Sequence, residues 1–107
     1  MIKTSKGDLP IRYSWNALRL VGDALDLTMN EMLSFDLMNR KIGDVFTFVY
    51  YGFIEGARIN KEECKVSGVE EVGDLLNDDP TILEKAITQF AEDMKMIGAK
   101  SEESKKK

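Results

Sequence analysis

Histidine is absent from the 107 residues, and cysteine occurs once, at Cys64. Those gaps remove His/Cys zinc sites, a Ser-His-Asp triad, a Cys-His pair and any disulfide within the chain, since each needs residues that are missing. The eight glycines are dispersed and form neither Gly-x-Gly-x-x-Gly nor Gly-x-x-x-x-Gly-Lys-Ser/Thr, so no phosphate cradle is encoded. Long apolar runs are missing too. The longest without a charge, Val45 to Ile54, is about half of what a bilayer requires, and Met-Ile-Lys-Thr-Ser-Lys-Gly-Asp has no signal-peptide core. These absences, with one cysteine as a reducing compartment would tolerate, predict a cytoplasmic protein.

What remains is 43% hydrophobic and 32% charged, with six methionines and only two prolines. That composition and length suit one folded, helix-leaning domain with a single core. The net charge of −4 is unevenly spread. Residues 1 to 54 hold six acids and six bases, residues 55 to 93 eleven acids and four bases, and the last eight residues four lysines and two glutamates. An acidic body argues against nucleic-acid binding, which needs a basic surface to neutralise phosphates. The lysine-rich end reads as a solvated tail.

Turn formers Ser5-Lys-Gly-Asp8 between Met1–Lys3 and Leu9–Tyr13 predict a small hairpin, with Pro10 at a sheet edge or at the first residues of a strand. Ser14 is a suitable N-cap for a first helix with Trp15, Leu18, Val21 and Leu25 inward. Thr28-Met-Asn-Glu31 is a capping box that starts a short second helix ending near Asp36 to Asn39. The central helix spans Ile42 to Ala57, with Ile42, Val45, Phe46, Val49, Tyr50, Phe53 and Ala57 on one face. Phe48 and Tyr51 point to its other side, so this helix must be covered twice. Gly52 and Gly56 leave a strip where a neighbouring backbone can approach. Ser67-Gly-Val-Glu70 offers a second capping box before Val69, Val72, Leu75 and Leu76. Asp79-Pro80 opens a last helix with Leu83, Ala86, Ile87, Phe90, Met94 and Ile97 inward and Gly98 as its C′ residue. The expected architecture is mainly α: four to five short helices in a compact bundle with an N-terminal β-hairpin over residues 1–98, then a disordered charged tail over 99–107.

The adjacent acids Glu62-Glu63, Glu70-Glu71, Asp78-Asp79 and Glu92-Asp93 diverge by about 100° on a helix, so they read as solvated or capping groups rather than acid/base pairs or metal ligands. Cys64, between Glu63 and Lys65, has no activating base. The inventory points to no enzymatic role, no cofactor and no metal. The surplus lies in apolar side chains: Phe48 and Tyr51 on the second helix face, and Met29, Met32 and Met38 around the short helix. They either fill the core or present an adaptable docking surface.

Read in order, the chain resembles the small tail assembly chaperones of long-tailed bacteriophages and prophages. The likeness covers about residues 9 to 95. It rests on Tyr13-Ser-Trp-Asn-Ala-Leu18, Leu27-Thr-x-x-Glu31, the aromatic-rich Val45-Phe-Thr-Phe-Val-Tyr-Tyr-Gly-Phe-Ile-Glu-Gly-Ala57, Val66-Ser-Gly-Val-Glu-Glu-Val-Gly-Asp-Leu-Leu76 and the Asp79-Pro80 helix entry. It implies a non-enzymatic partner of tape measure and tail tube proteins during tail morphogenesis, acting in the host cytoplasm. Phe48, Tyr51, Met29 and Met32 are the candidate contacts. The alternative is a small bacterial adaptor or regulator that binds a basic protein through its acidic C-terminal helices.

Overall fold

The computed structural model describes residues 1–105, with side-chain surroundings as far as Ile97. Among them are a two-stranded antiparallel hairpin and five α-helices, so the mainly α class and the N-terminal hairpin hold. Strands β1 (Ile2–Thr4) and β2 (Gly7–Leu9) pair Ile2 with Leu9 and Thr4 with Gly7. Gly7 closes the turn at φ +100°, a conformation that costs glycine little and side chains much. The Thr4 hydroxyl bridges the turn, donating to the Gly7 carbonyl at 2.7 Å and accepting from the Lys6 N–H at 3.0 Å. The second strand is Gly7–Leu9 rather than the expected Leu9–Tyr13, and Pro10 lies just beyond it, because a residue without an N–H cannot extend the ladder.

Helix α1 (Trp15–Leu25) is capped by Ser14, whose hydroxyl accepts from the Ala17 N–H. Helix α2 (Met29–Leu33) starts at the Thr28–Glu31 capping box, with both reciprocal bonds made. A 3-10 turn, Leu37–Asn39, leads into α3 (Ile42–Ile59), which packs against α1, α4 (Val69–Asp78), α5 (Thr81–Lys105) and β2. The second capping box does not form. Gly68 occupies the N-cap of α4 without a side-chain bond, and the Ser67 hydroxyl bonds the Glu71 carboxylate instead. Asp79 does act at the entry to α5, accepting from the Thr81 N–H at 3.0 Å and its hydroxyl at 2.6 Å. Helix α5 runs through Gly98, which in a helix interior is unfavourable by only about 1 kcal/mol relative to alanine. The side chains of the tail expected to be disordered, and all of residues 106 and 107, lie outside the described residues.

The double cover of α3 comes from the chain itself. Pro10 to Tyr13 crosses α3 at the Gly52/Gly56 strip, where the Arg12 N–H donates to the Gly52 carbonyl at 3.1 Å. A Cβ at Gly52 would sit 2.5 Å from the Tyr13 hydroxyl and 2.9 Å from the Ile11 side chain. On the Phe48 side, the ring stacks on Tyr13 (centroids 4.5 Å apart) and meets Phe90 (5.1 Å) and Phe35 (5.6 Å). These aromatics join α3, α5 and the segments before α1 and after α2 in one core. Three residues expected inward lie outside: Trp15, Ile42 and Val69 are exposed. Each is within the first turn of its helix, where fewer neighbouring elements reach it.

Candidate protein-docking site

Two buried carboxylates fix the segment that precedes α1. Glu55, on α3 and only 1% exposed, accepts from the Ser14 hydroxyl at 2.7 Å and from Arg58 Nε at 2.9 Å, with Arg58 Nη2 on the same carboxylate. The Arg58 hydrogen bonds, followed by that from Ser14, hold Glu55 below its ordinary pKa against the opposing effect of burial. Asp93, on α5, accepts from the Tyr13 N–H at 2.7 Å, from Arg12 Nε at 3.4 Å and from Gln89 Nε2 at 3.1 Å. The Tyr13 hydroxyl donates to the Phe48 carbonyl at 3.0 Å; burial first, then the Asp93 charge, push this phenol well above its ordinary value. Asp93 is thus a buried anchor rather than the solvated group its Glu92 neighbour suggests, because the extended backbone beside it needs an acceptor. Both carboxylates are engaged by donors of this chain. Among the described residues no three His, Cys, Asp or Glu side chains converge as a metal ion requires, and no helix is long and apolar enough to cross a membrane.

The anchored segment and Ser14 set the direction of α1, which with α2 encloses an open groove of about 230 Å³. Leu18, Leu27 and Met32 supply its apolar wall, Trp15 and Met29 its two exposed apolar flanks, and Arg19 and Asp23 a polar margin. Trp15 is 52% exposed and Met29 51%. This geometry follows from how α1 packs: Ala17, Leu18, Val21 and Gly22 face the core, and Trp15 lies about 90° around the helix from the centre of that face. The small residues Ala17 and Gly22 were the sequence signal for the true inner face, because they allow close packing where tryptophan would not fit. The α2 side is fixed by the capping box, in which the Thr28 backbone bond, above all, lowers the pKa of Glu31.

The four residues singled out from the sequence therefore separate. Met29 and Met32 come together at this groove, Met29 on its flank and Met32 buried in its floor. Phe48 is 1% exposed and so is a packing residue, its second-face position covered by Tyr13, Phe35 and Phe90. Tyr51 is half-buried beside Tyr50, ring centroids 5.4 Å apart, and belongs to neither the groove nor the Phe48 cluster. Trp15 was missed as a surface residue. A second apolar cavity, of about 270 Å³, lies between the Phe35–Met38 segment, α3 and α5, with Phe48, Ile87 and Phe90 in its walls. No protein-family model, curated protein or solved structure matches the chain at a significant level.

Proposed function

We propose that this protein is a non-enzymatic tail assembly chaperone of a long-tailed bacteriophage or prophage, which keeps the tape measure protein soluble and brings tail tube subunits to it. The observation that carries the reading is the α1/α2 groove, where a half-exposed tryptophan and a half-exposed methionine flank an apolar wall. An amphipathic helix needs such a surface to cover its apolar stripe, and tryptophan and methionine suit it: one gives a large rigid contact, the other adapts its shape. The acidic C-terminal half would keep the complex soluble.

Co-expression with the tape measure protein encoded in the same genome should convert that protein from insoluble to a soluble complex. Trp15→Ser combined with Met29→Ser should weaken capture while leaving the melting temperature nearly unchanged, since both side chains are half in solvent. Equal insolubility of the tape measure with and without this protein would refute the proposal. The adaptor reading is favoured by Glu70, Asp74 and Asp78, exposed at four-residue intervals on α4. Lysine substitutions there should abolish partner binding under that reading and spare it under the first.

A further inference from the structure

The groove between α1 and α2 is not apolar throughout. Trp15, Arg19 and Asp23 line it at four-residue intervals along α1, so the helical rise sets successive positions about 6 Å apart along the axis. Among the described residues Arg19 and Asp23 are the charged members of its lining; both are exposed, and neither makes a salt bridge. Their spacing does not forbid one. Arg40 and Asp44 have the same order and separation and do pair, at 2.9 Å. Nor is Arg19 taken up elsewhere: it acts on Glu55 only through space, because Arg58 and Ser14 hold that carboxylate by hydrogen bonds.

Two unpaired opposite charges beside an apolar wall form a pattern that a partner can match. A helix lying along α1 repeats its side chains at the same interval, four residues at a time. We propose, on the reading that this groove covers an amphipathic helix, that the helix it takes carries an acid and a base four residues apart beside its apolar stripe, the acid against Arg19 and the base against Asp23. The Arg19 guanidinium can give a carboxylate two parallel N–H bonds, and Asp23 accepts from lysine or arginine. Uniformly charged helices fit less well: one flanked by acids alone meets Asp23 with like charge, and one flanked by bases alone meets Arg19. The chain's net charge of −4 would by itself favour the basic helix, so the local pattern and the overall field select different partners.

Tryptophan-free synthetic peptides titrated into the full chain at low ionic strength test this, with emission from Trp15, the sole tryptophan, as the readout. Four peptides share one leucine stripe and differ only at two flanking positions four residues apart, which hold glutamate then lysine, lysine then glutamate, two glutamates or two lysines. One of the mixed orders should bind about tenfold tighter than either uniform peptide, and the gap should shrink as salt is added. Exchanging the charges in the protein, Arg19→Asp together with Asp23→Arg, should transfer that preference to the other mixed order at an unchanged melting temperature, since both side chains are exposed. Arg19→Gln with Asp23→Asn should instead bring the four peptides level. Equal binding of all four by the wild type overturns the charge pattern while leaving the groove as a docking site. So does tightest binding of a uniform peptide, or a preference that the exchange does not move. Unchanged Trp15 emission with every peptide overturns the docking reading and the charge pattern with it.

Discussion

Alanine substitutions at two glycines of the same helix should move stability in opposite directions. In a helix interior, glycine to alanine ordinarily stabilises by up to about 1 kcal/mol, because alanine loses less backbone entropy on folding. At Gly43 nothing lies within 4 Å of an added Cβ, so Gly43→Ala should gain about 0.5 kcal/mol. At Gly56 the new Cβ would overlap the Pro10 carbonyl and lie 2.7 Å from the Ile11 nitrogen. These are backbone atoms and cannot rotate away. The crossing segment would have to lift, straining the Arg12–Gly52 bond at 3.1 Å and the Tyr13–Asp93 bond at 2.7 Å and loosening the buried Ile11 and Tyr13. Overpacking of about 1–3 kcal/mol and a weakened hydrogen bond of about 1 kcal/mol, less a helix gain of about 1 kcal/mol, leave a net loss of about 1–3 kcal/mol for Gly56→Ala. For a domain of this size that lowers the melting temperature by roughly 5–20 °C. Urea unfolding followed by far-ultraviolet circular dichroism should show opposite shifts in midpoint with little change in slope. A Gly56→Ala protein as stable as the wild type would refute the close crossing of Pro10–Ile11 over α3.

Three further outcomes are expected. Phe48→Ser should destabilise by about 3–5 kcal/mol through loss of its stacking with Tyr13 and Phe90, and Tyr51→Ser by much less; thermal melts showing comparable losses would contradict the central placement of Phe48. Glu55 ionises more readily in the folded chain than at its ordinary value of 4.5, so its stabilising contribution is complete above that pH and fades as acidification passes through the lower folded value. The stability advantage of wild type over Glu55→Gln should therefore be largest at neutral pH and shrink under acid; an advantage that grows on acidification would contradict the Arg58 and Ser14 bonds. Trp15, the sole tryptophan, should be accessible to acrylamide in the isolated protein and become protected and blue-shifted in a complex with the tape measure protein. A quencher-resistant spectrum from the free chain would place the indole inside.

Local signals were legible where the decisive partner lies within a few residues. The Thr28–Glu31 box, the Asp79 entry to α5 and the hairpin turn depend on short-range hydrogen bonds, and they form where the sequence puts them. Ser67-Gly-Val-Glu70 has the same spacing but fails, because Glu71 takes the serine hydroxyl and also pairs with Lys6 of the hairpin turn at 2.6 Å. That second partner is far away in the chain. The candidate site was legible only in part. Met29 and Met32 were recognised as belonging together, whereas helical spacing alone assigned Trp15 to the inside and left Phe48 ambiguous.

The sequence by itself determined the class, the hairpin, the order and approximate starts of the helices and the need for α3 to be covered on two sides, since these follow from period, capping and the sum of apolar residues; the ends of α2, at Leu33 and not near Asp36 to Asn39, and of α5, which runs through Gly98, it did not. Only the tertiary structure decided which side chains do the covering. A Gly52/Gly56 strip predicts close approach by some backbone; that the visitor is Pro10–Tyr13, held by Asp93 and Glu55 from two different helices, depends on long-range hydrogen bonds that periodicity does not encode. With Tyr13 and Phe90 closing over Phe48, the aromatic surplus is used internally, and the exposed apolar surface shifts to Trp15, Met29 and Met38. The physical reason is competition for one core: a side chain's burial depends on which neighbours reach it first, and in a chain of this length there are too few elements to cover every apolar stripe.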